Sequence, residues 1–214
     1  ALASTNLKPL QDFNVRNEKM QNILTTLNIV ADKSAIDETY NQYIKQQLSI
    51  KADGTVDVNV EAFTIDLKKE LKKPLNEQRF PIYIAEKDGK TYYIVPLHGA
   101  GLWDAIWGYI ALEADKNTII GAVFDHKAET PGLGAEIKES FFGNQFIGKK
   151  ILQDAQKGFS EKGNYVSVKV VKGGTPDDNL HGVDGISGGT ITCDAVTKMV
   201  HDRISFYLPY FQNN

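Results

Sequence analysis

The residues most able to do chemistry lie in Asp184-Gly-Ile-Ser187-Gly188-Gly189-Thr190-Ile-Thr192. Small residues there let another group approach the backbone closely, and two hydroxyls enter one turn just as a helix begins. The first-turn amides of such a helix lack intrahelical acceptors and sit at the positive end of its dipole, which together make a seat for phosphate. A glycine-rich turn running into a capped helix uses the same residue types, so residue chemistry alone leaves both readings open.

Other candidates carry less. Gly143-Asn-Gln-Phe-Ile-Gly148-Lys149-Lys150 approaches the GxxxxGK[ST] phosphate loop, but Lys150 stands where a hydroxyl must reach Mg²⁺. Gly99-Ala-Gly101-Leu-Trp-Asp104 opens like a dinucleotide fingerprint and then lacks both the third glycine and the βαβ setting. His98, His126, His181 and His201 show no ligand spacing, so no metal site is assigned. Cys193 falls in the first turn of the last helix, where the dipole favours a thiolate, with His181 upstream. A cysteine hydrolase is one reading of that pair, and a buried core thiol is the other.

The elements that must position these residues follow from periodicity. Met20, Ile23, Leu24 and Leu27 recur at helical spacing within Asn17 to Asn28. A second helix is predicted from Ser34, three residues before Asp37 as in a capping box, with Ile36, Tyr40, Tyr43, Ile44 and Leu48 along one face. Between Lys51 and Asp66 the period becomes two, with Val56, Val58, Val60 and Ala62 facing one way, which predicts the first strand. Ile82 to Glu86 and Thr91 to Leu97 flank Lys87-Asp88-Gly89-Lys90, where Asp-Gly favours a tight hairpin turn. Trp107 to Leu112 and Thr118 to Phe124 predict a second hairpin, and consecutive strands without intervening helices predict an antiparallel sheet. Glu129-Thr130-Pro131-Gly132-Leu133-Gly134 is a shaped loop entering a short helix from Ala135. Tyr165 to Val171 alternates as a strand. The final helix carries Ala195, Val196, Met199, Val200, Ile204, Tyr207 and Leu208 on one face, with Thr192 as its expected cap.

Length and composition bound the rest. A chain of 214 residues with 42% hydrophobic and 24% charged residues suits one folded domain with an arm rather than a multidomain enzyme. Its net charge of −3 gives no bulk attraction for nucleic acid. One cysteine closes no internal disulfide and carries no dithiol redox couple. The apolar run Ile119 to Phe124 is far shorter than the roughly 18 residues of a membrane span, and Ala1 to Pro9 lacks the apolar core of a signal peptide.

Ser187-Gly-Gly-Thr190, preceded by Asp184, resembles the flavinylation motif of FMN-binding domains, in which the final threonine is joined through its oxygen to the phosphate of FMN. His126-Lys-Ala-Glu129-Thr130-Pro131-Gly132-Leu133-Gly134 resembles the second signature of that family. With Gly101-Leu102-Trp103 and Leu7-Lys8-Pro9, the pattern is similar across nearly the whole chain to the C subunits of Na⁺-translocating NADH:quinone oxidoreductases; the Rnf-type G subunits are relatives. One departure stands out, since the family usually has alanine where this chain has Gly189.

The resemblance implies an α+β fold, an antiparallel sheet with flanking helices, divided into an N-terminal helical arm over 1–50 and an FMN-binding domain over 51–214. It implies FMN held covalently through its phosphate by Thr190, with Asp184, Ser187, Gly188 and Gly189 forming the attachment turn. Glu129, Thr130 and Leu133 are the expected second wall, Glu129 either accepting a hydrogen bond from the flavin or pairing with a lysine. Trp103 and Leu133 are candidates for contact with the ring, against a core tryptophan and a loop anchor. Lys172, before Gly173-Gly174, either neutralises the phosphate or ribityl region or is simply solvated. No catalytic residue is implied beyond the cofactor: the function is electron relay within an oxidoreductase complex. The partners are other membrane subunits and a flavin transferase, and the family's N-terminal membrane helix, absent here, places the soluble domain on the periplasmic side. An Rnf-type electron-transport subunit with the same flavin attachment is the alternative, and a noncatalytic docking module of a membrane complex is the competing class.

Overall fold

The computed structural model describes the backbone of residues 2–214 and side chains from residue 10 onward, so the side chains of Leu7-Lys8-Pro9 lie outside the described residues. In chain order the elements are α1 (Leu2–Thr25), α2 (Ile36–Tyr43), β1 (Ile44–Ile50), α3 (Leu67–Glu70), β2 (Phe80–Lys87), β3 (Lys90–Ala100), β4 (Ala105–Leu112), β5 (Ile119–His126), α4 (Ser140–Asn144), β6 (Lys169–Val171), β7 (Gly182–Asp184), α5 (Thr190–Ser205) and α6 (Leu208–Asn213). Strands β1 to β5 form one antiparallel sheet in sequence order, and β6 and β7 form a short parallel pair. The architecture is the expected α+β one. No helix among the described residues is long and apolar enough to cross a membrane.

The first predicted hairpin forms as its turn chemistry requires. Asp88 and Gly89 both take positive φ, 52° and 73°, which matches the right-handed twist of the strands they join. In the second, Asp115 accepts hydrogen bonds from the amides of Asn117 and Thr118 and from the Thr118 hydroxyl, closing the turn between β4 and β5. Alternate residues of the sheet feed two cores. One, built on Val95, Leu97, Ile106, Ile110 and Phe124, packs under α5 through Val196, Met199 and Val200. The other, with Tyr83, Ala85, Ile94, Tyr109 and Ala111, is covered by Met20, Ile23 and Leu24 of α1 and by Ile36 and Tyr40 of α2.

Three sequence expectations fail for identifiable reasons. Residues 51–66 do not form a strand, and Val56 makes only an isolated bridge to Ile50 while Val58 is 87% exposed. Alternation of apolar residues builds a strand only where one face can be buried, and here Asp57 is drawn into an ion pair with Arg79 and the chain turns repeatedly. The helix predicted from Ser34 through Leu48 stops at Tyr43, its N-cap is Ala35 without a side-chain bond, and Ile44 to Ile50 becomes β1, paired with β2. The last residues of the 1–50 segment therefore form the edge of the sheet. Only Lys169–Val171 of the strand expected over 165–171 is regular, because Ser167 takes φ 60° and breaks the extension.

Candidate functional site

The parallel pair β6/β7 sets Val171 opposite Asp184, and the Gly185 amide donates to the Val171 carbonyl at 2.9 Å. The Lys172-Gly173-Gly174 turn and the Gly185 to Gly189 turn therefore leave side by side, enclosing a cavity of about 450 Å³. Lys172, Asp184, Ser187, Gly188 and Thr190 line it together. Gly188 has φ +75°, a conformation open to glycine, and Gly189 is the N-cap of α5. No side chain caps this end, so the amides of Thr190, Ile191 and Thr192 lack intrahelical acceptors at the positive end of a sixteen-residue helix. Thr190 is the first residue of that helix and is only partly buried.

Thr192 is not the cap predicted for it. Its hydroxyl is buried and donates at 2.5 Å to Oε2 of Glu129, a residue 63 positions earlier and 4% exposed. The other carboxylate oxygen, Oε1, accepts from the Trp103 amide at 3.0 Å. Glu129 thus joins three segments: the turn after β3, the loop after β5 and the first turn of α5. Two glycines make room for it. A Cβ on Gly101 would lie 2.5 Å from Oε1, and one on Gly134 would overlap the Thr192 hydroxyl oxygen and lie 2.8 Å from Oε2. Both oxygens are thereby engaged within the protein, so the geometry makes Glu129 a brace of the loops.

The loop itself is closed by its own backbone, with the Leu133 and Ala135 amides both donating to the Thr130 carbonyl at 3.1 Å. The Thr130 hydroxyl accepts from the Trp103 indole at 3.2 Å. Leu133 then leans over the Gly185 to Gly189 turn, where a Cβ on Gly188 would come within 2.5 Å of its Cδ2. Trp103 is 67% exposed, so it is no core tryptophan; Leu102, Leu133 and Ile191 are exposed as well, and the four stand outside the lining of the cavity that Thr190 lines.

Asp184 holds the neighbouring turn rather than standing free. Its carboxylate accepts from the Thr175 amide at 2.7 Å, and its own amide donates to the Gln145 side chain at 2.8 Å. Sequence reasoning missed Gln145, which carries no motif signal. The thiol reading also resolves. Cys193 is buried, accepts from the Ile186 amide at 3.3 Å, and burial pushes its pKa up. The His181 Nδ1–H donates to the Lys150 carbonyl at 2.7 Å, and no hydrogen bond among the described residues joins that ring to Cys193. As for Gly189, a Cβ would sit 3.3 Å from Ile186 and 3.4 Å from the Gly134 nitrogen at an ordinary negative φ, so alanine fits with a small shift and its loss here changes little.

An anion seat at a helix start, a lysine beside it, and a bare apolar shelf at one end of an antiparallel sheet define a flavin-phosphate type of domain. The FMN-binding domain family model matches residues 101–205, a span that contains the helix start, Lys172 and the exposed apolar residues but not strands β1 to β3. The C subunit of the Na⁺-translocating NADH-quinone reductase of Vibrio vulnificus is 31% identical over 211 residues, covering 91% of this chain and 79% of that protein. Its counterpart from Haemophilus ducreyi is 30% identical over 92% of this chain and 79% of its own length. A solved structure of the C subunit from Parabacteroides distasonis superposes with a TM-score of 0.84 at 41% identity, covering 96% of both chains, and NqrC of Shewanella oneidensis with 0.78 at 26%, covering 92% and 96%. The chain belongs to the family of Na⁺-translocating NADH-quinone reductase C subunits.

Proposed function

We propose that this chain is the FMN-bearing, electron-carrying C subunit of a Na⁺-translocating NADH:quinone oxidoreductase, with FMN joined by a phosphoester bond to Thr190. The observation that carries the reading is that Thr190 lines one cavity with Lys172, at a helix start whose amides lack acceptors. That volume falls in the range of about 300–1,000 Å³ usual for small-molecule sites. The free amides and the positive helix end suit a phosphate, and Lys172 adds a mobile cation to it. Trp103 and Leu133 offer apolar cover for a flat ring, and Thr130 lies next to them. Bound FMN supplies the redox chemistry; the protein's part is to hold it and tune its surroundings. A tether through phosphate keeps the ring system chemically unmodified.

The partners in this reading are the other membrane subunits, which pass electrons in and out, and a separate flavin transferase that installs the FMN. The domain works on the periplasmic side of the cytoplasmic membrane. Intact mass after expression with and without the transferase tests the attachment. The expected gain is FMN less one water, lost entirely in Thr190→Val, which keeps the shape and removes the hydroxyl. Flavin retained by denatured Thr190→Val protein would overturn the assignment.

A further inference from the structure

A cavity of about 680 Å³ lies on the face of the sheet opposite α5. Its floor is Pro81 of β2, Pro96 and His98 of β3 and Trp107 of β4; its walls are α1 and the 63–68 segment. Its lining is mostly apolar, with Asp12, Arg16, Lys19, Asp66 and Lys68 as its charged members. Lys19 reaches in from α1, donates to the Phe63 carbonyl and sits 4.5 Å over the Phe63 ring. Among the described residues no carboxylate lies within ion-pair distance of it, whereas Arg16 on the same helix is matched by Asp37. Asp66, whose charge acts on Lys19, is occupied in capping α3 through the Lys68 amide and in pairing with Lys69 at 3.5 Å. An ammonium has three protons to place, and a charge in an apolar wall is costly until it is paired. Burial accordingly lowers the pKa of Lys19 to about 8.

We propose that this trough binds a small organic anion with a flat apolar body, its carboxylate on the Lys19 ammonium and its ring against Trp107 and Phe63. The site is independent of Thr190 and of whether FMN is attached. Lys68 on the rim adds a second, exposed cation that attracts the same charge. A neutral ring of the same shape would lose the ion pair.

Calorimetric titration of the protein with 2-naphthoate, and with 2-naphthamide as the uncharged match, tests this. The expected result is saturable one-to-one binding of 2-naphthoate, with the amide weaker by about tenfold. Lys19→Met should weaken 2-naphthoate by about the same factor and leave the amide unchanged, because the methionine keeps the stem and removes the charge. In a Trp103→Phe background, where Trp107 is the remaining tryptophan, saturation should change the tryptophan emission. Should Lys19→Met fail to fold, Lys68→Gln takes its place, with a smaller loss expected for 2-naphthoate alone. Absence of saturable binding, equal affinity for acid and amide, unchanged affinity in the lysine variant that folds, or silent Trp107 emission would each overturn the proposal.

Discussion

Replacing Thr192 by valine removes one hydroxyl and almost no volume, which isolates the bond to Glu129. The carboxylate is 4% exposed, and its Oε2 has the Thr192 hydroxyl as partner while Oε1 has the Trp103 amide. Gly134 packs against this pair too closely for water to replace the lost donor, since even a Cβ there would overlap the hydroxyl oxygen. A hydrogen bond to a charged group contributes about 1.5–3 kcal/mol, and an orphaned buried oxygen sits at the upper end of that range. The expected loss is therefore about 2–3 kcal/mol, or a fall in Tm of about 4–12 °C for a domain of this size. Thr192→Ser keeps the hydroxyl and should recover most of it, with a deficit of about 1 kcal/mol for the buried methyl. Urea unfolding of both variants, with Glu129→Gln to close a double-mutant cycle, gives the numbers. A Thr192→Val loss below about 0.5 kcal/mol, or a coupling to Glu129 indistinguishable from zero, would refute the brace.

The remaining expectations concern the cofactor and pH. Leu133→Ala and Thr130→Ala should still be flavinylated yet show altered flavin absorption or midpoint potential; parent values in both would remove the loop from the site. Protein made without the transferase should be colourless and unfold cooperatively, because both cores are complete without a ligand, and loss of near-ultraviolet dichroism with retained helix signal would contradict this. Burial lowers Lys19 to about 8, below the roughly 10.4 of an unfolded lysine. Between these values the unfolded chain binds more protons, so stability should rise with pH through that window relative to Lys19→Met. Parallel stability curves for parent and variant from pH 7 to 10 would refute the burial of that charge.

The hairpins were legible because their signals are local: Asp88-Gly89 sets its own turn, and β4 and β5 alternate on either side of Asp115. The Ser187 to Thr190 turn was legible for the same reason, being a glycine-rich entry to a helix. What escaped depends on distant partners. Val56 and Val58 alternate as a strand would, but no face of the protein receives them. Ile44 and Leu48 fit a helix face until the neighbouring strand β2 claims their backbone. Thr192 has the type and place of a cap, and only a glutamate from another loop diverts it. Gly101 and Gly134 look like ordinary loop glycines until that carboxylate is set between them.

Helix α5 is anchored at both of its ends. The Thr192 bond holds its first turn, and beyond its last turn the Tyr207 hydroxyl donates to the Pro81 carbonyl at 2.8 Å. Gly54 is pressed against the backbone of Pro209 and Tyr210, where a Cβ would come within 2.6 Å. A rod pinned at both ends cannot slide along its axis or roll without breaking a buried contact. Thr190 consequently keeps one position relative to the sheet, and under the proposed attachment FMN there would swing only as far as its phosphate linkage bends. In that reading any longer travel of the flavin would require the domain to move as a whole.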